Sequence, residues 1–242
     1  MLRYFTPFEW FLWGVSSLLV IVSFLVFKSD NALVLLASLV GVTFLIFLAK
    51  GNPIGQLLTI VFSVLYGCIS YSFSYYGEMV TYLGMTLPMA VISLISWLRH
   101  PHQGNKAEVE VNVMNRRGIV VMLVLTILVT IVFYFILKWF HTPMLFPSTL
   151  SVTTSFLAVY LTFRRSHYYA LAYAFNDLVL IVLWSYASIQ QSTYASVLVC
   201  FIVFFFNDVY GFVNWRKMKQ RQKKEREHAS CDDDIFVSGV TL

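Results

Sequence analysis

Residues 79–98, MVTYLGMTLPMAVISLISWL, and residues 197–216, VLVCFIVFFFNDVYGFVNWR, fall on one another without a gap when the chain is shifted by 118 positions. The landmarks continue outward from that pair. Leu65 meets Leu183, Tyr66 meets Trp184, Ser70 meets Ser188, Tyr76 meets Tyr194 and Trp97 meets Trp215. Identity is sparse, but hydrophobic blocks and breaks coincide over about three helix lengths. An internal repeat in a membrane chain implies a carrier, because two similar bundles can enclose a central site and rock about it.

Composition names the solvent. Apolar residues make up 59% of the 242-residue chain and charged residues 12%, about half the charged fraction of a soluble domain. Mean hydropathy is +0.74. Eight long apolar runs recur, six of them uncharged and the last two with one Asp each: Trp10–Phe27, Ala32–Ala49, Pro53–Gly77, Met79–Leu98, Gly118–Leu137, Met144–Phe163, Tyr168–Gln190 and Ser192–Asn214. Each approaches or exceeds the roughly 18–20 residues that cross a bilayer core. The first run follows a basic start but has no small-residue cleavage site after Phe27, so it reads as a retained helix rather than a signal peptide.

Charge sets the expected orientation. With eight spans both termini share one side, and placing them in the cytoplasm puts 15 of the 17 Lys and Arg residues inside, leaving Lys28 and Lys138. The net charge of +5 then belongs to a cytoplasmic skirt facing anionic lipid, and nucleic acid is not an expected partner. The repeat divides the chain into an N-terminal helix (1–28), a first triple (29–99), a polar loop and linker helix (100–140), a second triple (141–217) and a basic and acidic tail (218–242). The expected fold is an all-α polytopic membrane protein. It follows a parallel 3+1+3 plan with an extra N-terminal helix. The end from about residue 228 reads as solvated and disordered. Cys68, Cys200 and Cys231 point neither to a disulfide framework nor to a metal site.

Polar residues inside the spans mark the candidate site. Asn176 and Asp177 lie a third of the way into one run, Asn207 and Asp208 near the end of the last, and Gln56 and Glu78 in the first triple. An ionisable group at that depth costs a few kcal/mol and should face a cavity or a partner. Near a helix end, Asn and Asp can instead cap, reach the headgroups or join neighbouring helices. Helical spacing places Tyr169, Tyr173, Asn176, Leu180 and Trp184 along one stripe. Aromatic faces attract a flat ring carrying positive charge, an Asn amide reads hydroxyls or a carboxamide, and an Asp adds attraction for a cation. Tyr and Trp also belong to membrane interfaces in their own right. Pro88 interrupts its helix and is the candidate hinge. No phosphate-binding loop, metalloprotease motif or nucleophile elbow occurs, so ATP-driven transport and catalysis are not expected, and no cofactor is called for.

The stretches YYGEMVTYLGM (75–85), ISWLRHP (95–101), FNDLVLIVLW (175–184) and FFNDVYGFVNW (205–215) resemble the PnuC family of bacterial vitamin transporters over roughly residues 30–217. The resemblance implies a SWEET-like fold, a homotrimer in the bacterial inner membrane, and uptake of nicotinamide riboside by facilitated diffusion with trapping by a cytoplasmic kinase. It implies a site of Asn176, Asp177, Tyr169, Tyr173 and Trp184, with Gln56 and Asn207 opposite. The family pattern Trp-x-x-Trp-x-x-x-Asn, aligned on Asn176, has Tyr169 and Ala172 at its two Trp positions here. One indole is exchanged for a phenol and one is lost, so carriage of thiamine or a deoxyribonucleoside stays open. A non-transporting membrane sensor or scaffold is the remote alternative.

Overall fold

The computed structural model describes residues 4–27, 32–72, 76–142 and 144–239, with side chains up to His228. Arg3, Lys28 and Tyr75, and the side chains of Cys231 to Asp234, lie outside that description. Among the described residues the chain is almost wholly helical, and eight helical spans are long and apolar enough to cross a membrane. It is a multi-pass membrane protein.

Helix α1 (Pro7–Val26) starts with a capping box: Thr6 Oγ1 accepts from the Glu9 backbone N–H at 3.2 Å, and Glu9 Oε2 accepts from the Thr6 N–H at 2.6 Å. Helices α2 (Ala32–Ala49) and α3 (Pro53–Ser72) are joined by a turn in which Gly51 takes φ +67°. The expected run Pro53–Gly77 is shorter as a helix. Gly77 and Glu78 belong to α4 (Tyr76–Thr81), where a Cβ on Gly77 would fall 2.5 Å from Leu137.

That span then changes pitch. Residues Tyr82–Thr86 form a π turn before α5 (Leu87–Arg99). Pro88 has no N–H to give to the carbonyl one turn back, and the Leu87 N–H reaches Tyr82 O, five residues behind. The linker helix α6 (Arg116–Trp139) is capped by Asn115, whose side chain accepts from the Gly118 N–H at 2.8 Å. It packs on α7 (Leu145–Phe163) and turns apolar side chains such as Val124, Ile127 and Phe135 outward, as a lipid-facing helix must. Helix α8 (Tyr169–Gln190) and the 45-residue α9 (Ala195–Gly239) complete the bundle.

At about 1.5 Å per residue α9 is roughly twice as long as a bilayer core is thick. The tail from 218 therefore continues as helix to Gly239, where the sequence suggested disorder beyond about 228. Ion pairs one turn apart, Arg221 with Glu225 at 3.6 Å and Lys223 with Glu227 at 3.5 Å, favour this extension.

The core gathers where α2, α3, α8 and α9 meet, with α5 and α7 closing the other side. Two turns on the basic end of the bundle repeat each other. Asn52 N–H reaches Phe47 O at 3.0 Å after α2, and Ser166 N–H reaches Leu161 O at 2.9 Å after α7. Gly51 in the first turn and Arg165 in the second occupy the left-handed region, at φ +67° and +56°.

The polar loop between α5 and α6 ties these turns together. Strands β1 (Pro101–His102) and β2 (Asn105–Val109) pair through a two-residue turn whose Gln103 and Gly104 both have positive φ, the geometry that suits a tight hairpin. Val109 N–H then donates to Gly51 O at 2.9 Å, and Asn112 N–H to Arg165 O at 3.0 Å. Between these two contacts the fully buried Gln222 of α9 accepts from the Val111 N–H at 2.8 Å and donates to Val109 O at 3.1 Å. The loop is a strap across one end of the bundle, fastened by the last helix.

Candidate functional site

Asn176 and Asp177 are both buried on α8, and their neighbours explain why a bilayer segment tolerates them. Helix α7 presents hydroxyls at helical spacing towards Asn176. Its Oδ1 accepts from Thr154 Oγ1 at 2.8 Å, Ser155 Oγ at 3.0 Å and, at the limit, Ser151 Oγ at 3.5 Å. The amide is thus held in one orientation from one side.

Asn176, Asp177, Ser155 and Tyr173 line one wall of a closed cavity of about 40 Å³. Thr59 of α3, and Tyr82 and Thr86 of the π turn, line another. Asp208 comes in from α9. Phe44, Leu45, Phe62, Val159, Phe201 and Phe204 supply the apolar remainder. The carboxyl groups of Asp177 and Asp208 both line this space and lie against each other. None of the lining residues is basic. A cavity of this kind attracts cations, offers aromatic faces to a flat ring, and presents hydroxyl and amide groups to a polar substituent.

A smaller cavity of about 10 Å³ lies on the other side of the phenylalanines, lined by Ser38, Tyr66, Ser70, Trp184 and Cys200. Phe62, Phe201 and Phe204 wall both spaces. Phe62 and Phe204 stand 5.9 Å apart, Phe201 and Phe204 5.7 Å apart, and Tyr66 and Tyr82 4.3 Å apart between ring centroids. These rings form a plug. Both cavities together are far below the roughly 300 Å³ of a small-molecule pocket, so the site is described in a closed form.

The sequence-chosen residues divide accordingly. Asn176, Asp177 and Tyr173 meet in the main cavity, and Trp184 lines the smaller one. Tyr169 packs its ring 4.7 Å from that of Trp215, nearer the strap. Gln56 is buried one turn before Thr59, outside both linings. Asn207 turns away: its Nδ2 donates to Ser16 Oγ on α1 at 2.9 Å and to Val203 O at 2.8 Å. Its neighbour Asp208 faces the cavity instead. Glu78 is buried beside α3, not in either lining. Pro88 follows the π turn that supplies Tyr82 and Thr86. Thr59, Tyr82, Thr86 and the phenylalanines were not among the residues chosen from sequence, and Asp208 was marked there without being placed in the site. Asp208 carried a signal, its charge inside a span.

At the basic end of the bundle a second buried network joins α1 and α9 to the turn after α2. Glu9 of α1 accepts from Lys50 Nζ at 3.1 Å and from Tyr210 Oη at 2.9 Å. Tyr4 accepts from Asn52 Nδ2 at 2.9 Å, and burial, the largest influence, raises its phenol pKa. Among the described residues no group of three His, Cys, Asp or Glu side chains is placed to hold a metal ion.

Comparison with known proteins agrees with this architecture. The family model described as nicotinamide mononucleotide transporter matches residues 31–217. The nicotinamide riboside transporter PnuC of Neisseria mucosa is 28% identical over 206 residues, covering 81% of this chain and 76% of the relative. The crystal structure of the vitamin B3 transporter PnuC superposes with a TM-score of 0.77 at 25% identity, over 90% of this chain and 94% of that one.

Proposed function

The chain belongs to the nicotinamide mononucleotide transporter family, and from that premise we propose that it carries nicotinamide riboside across the bacterial inner membrane by facilitated diffusion. The single observation that carries this reading is the pairing of Asp177 with Asp208 in a cavity with no basic lining residue. Nicotinamide mononucleotide has a phosphate that needs a cationic partner when taken out of water. Nicotinamide riboside lacks the phosphate and keeps the positively charged ring, which the two carboxyl groups and the faces of Tyr82 and Tyr173 suit. Asn176, Thr86 and Ser155 are placed to meet its ribose hydroxyls and carboxamide.

Transport in this reading follows a 3+1+3 plan, with α2, α3 and the α4–α5 span as one triple, α7–α9 as the other, α6 as linker and α1 as an addition. The matching turns at Gly51 and Arg165 support equivalence of the triples. Both termini lie in the cytoplasm, as the basic turns and tail favour, and three copies form the assembly. The π turn ahead of Pro88 is the element that bends as the cavity enlarges. A cytoplasmic kinase phosphorylates the riboside and so prevents its return. Thiamine is the second reading, favoured by Ala172 standing where the relatives' pattern has an indole, and thiamine is also a cation.

Uptake into proteoliposomes tests the proposal. Labelled nicotinamide riboside should equilibrate without an ion gradient and accumulate only when a riboside kinase and ATP are enclosed. Equal uptake of the mononucleotide, or accumulation driven by a proton or sodium gradient alone, would overturn it.

A further inference from the structure

On the outer surface of the bundle's basic end, between α5 and α7, a groove of about 370 Å³ joins two unlike linings. Ile92, Ile95 and Phe163 form an apolar floor. Arg99, Arg164 and Arg165 form the rim. No Asp or Glu among the described residues is within salt-bridge distance of these three arginines. The Nε atoms of Arg164 and Arg165 are buried without a hydrogen-bond partner among the described residues. Burial lowers the Arg165 pKa, with Glu110 opposing and Arg164 adding to the shift. A guanidinium stays charged at any physiological pH, so three of them on one groove without a carboxylate partner favour an anion there.

The backbone adds an independent observation. Arg165 sits at φ +56°, where the matching turn after α2 uses Gly51. A side-chain-bearing residue there costs about 1 kcal/mol, and Asn112 of the strap fixes the turn by donating to Arg164 O at 3.2 Å and Arg165 O at 3.0 Å. An outlier held in place by its surroundings points to use of the side chain.

We propose that this groove binds the phosphate headgroup of an anionic phospholipid, with one acyl chain along Ile92, Ile95 and Phe163. The apolar floor lies beside α5 and α7 where they leave the membrane, and the guanidinium forks match a phosphodiester. A bound lipid offsets part of the rim's charge and ties α5, from one proposed triple, to α7, from the other. The site is separate from the central cavity and has no residue in common with it.

Native mass spectrometry of the detergent-purified protein tests this, with phosphatidylglycerol, phosphatidylcholine and inorganic phosphate as probes. Phosphatidylglycerol should remain bound at least fivefold more than phosphatidylcholine, and millimolar phosphate should not displace it. The double variant Arg164→Gln, Arg165→Gly should lose that preference. Glycine suits the left-handed turn, so the loss would not come from a broken backbone, and unchanged elution and Trp fluorescence would confirm the fold. Should the double variant fail to fold, Arg99→Gln, outside the turn, should lower phosphatidylglycerol retention about threefold. Equal retention of the two lipids, variants that bind like the parent, or displacement by inorganic phosphate would each overturn the proposal, the last by making this a site for soluble anions.

Discussion

Trp97 and Trp215, which coincide when the chain is shifted along itself, meet in the folded protein with ring planes tilted 47° and ring centroids 5.5 Å apart, neither exposed. Each is fastened to the helix opposite. Trp97 Nε1 donates to Thr162 O of α7 at 2.9 Å, and Trp215 Nε1 donates to Leu48 O of α2 at 2.8 Å. The two carbonyls are matching ones, since each also accepts the N–H of the left-handed turn residue, Arg165 or Gly51. Exchange of Trp for Phe keeps the packed ring and removes one hydrogen bond. Trp97→Phe and Trp215→Phe should each cost about 0.5–1.5 kcal/mol, and by similar amounts. Thermal unfolding in detergent measures this; an effect at one tryptophan alone would refute their equivalence.

Gly41 of α2 lies against the plug. A Cβ there would fall 2.2 Å from Phe204 Cζ. Glycine to alanine in a helix ordinarily stabilises by about 1 kcal/mol, so the sign of the change is diagnostic. Gly41→Ala should destabilise by about 1–3 kcal/mol through overpacking and should weaken ligand binding as Phe204 is driven towards the cavity. Adding Phe204→Leu should restore most of the stability. A stabilised single variant would mean the ring moves away without cost.

Gln222 closes the strap with a side chain that has no exposure. Gln222→Ala leaves the Val111 N–H and Val109 O inside without their partners, a loss of about 1–3 kcal/mol for a buried group. Glu108 also loses the Gln222 Nε2 contact at 2.7 Å, though it keeps Arg221. Amide hydrogen exchange at residues 109–112 should quicken while that of α8 stays unchanged. Unaltered exchange along the strap would show that the hairpin holds itself.

His167, in the turn before α8, has its pKa lowered to about 4, first by burial and then by the charges of Lys219 and Arg216. The unfolded chain binds this proton near pH 6.5 and the folded chain does not until about pH 4. The stabilisation is therefore complete above pH 6.5 and is lost as pH falls from there to 4. His167→Gln should flatten the stability profile in that window relative to the parent. Parallel profiles would contradict the assignment.

Much of this was legible in the amino acids. Long apolar runs with at most one charge marked the eight spans, because an unpaired backbone in lipid leaves helix as the answer. Asn176 and Asp177 stood out because a bilayer segment has no reason to hold them unless they face a cavity or a partner. The choice between Asn207 and Asp208 was not legible. Successive residues on a helix point about 100° apart, and only the packing of α1 through Ser16 shows that Asn207 faces outward. Gln56 and Thr59 share a face of α3 and differ in depth, by one turn. The strap was hidden because a polar loop has no period to read, and its partners Gly51, Arg165 and Gln222 are distant in sequence.

The most direct test of the central claim is a binding titration, by Trp fluorescence quenching, of the parent and of Asp177→Asn and Asp208→Asn. Nicotinamide riboside, nicotinamide mononucleotide and uridine are the three ligands. The carboxyl pair predicts that the parent prefers the riboside over both others, and that each Asn variant weakens riboside binding tenfold or more with little effect on uridine, since a charge-assisted contact contributes about 1.5–3 kcal/mol. Parent protein that binds the mononucleotide as well as the riboside, or Asn variants that bind the riboside unchanged, would contradict the account.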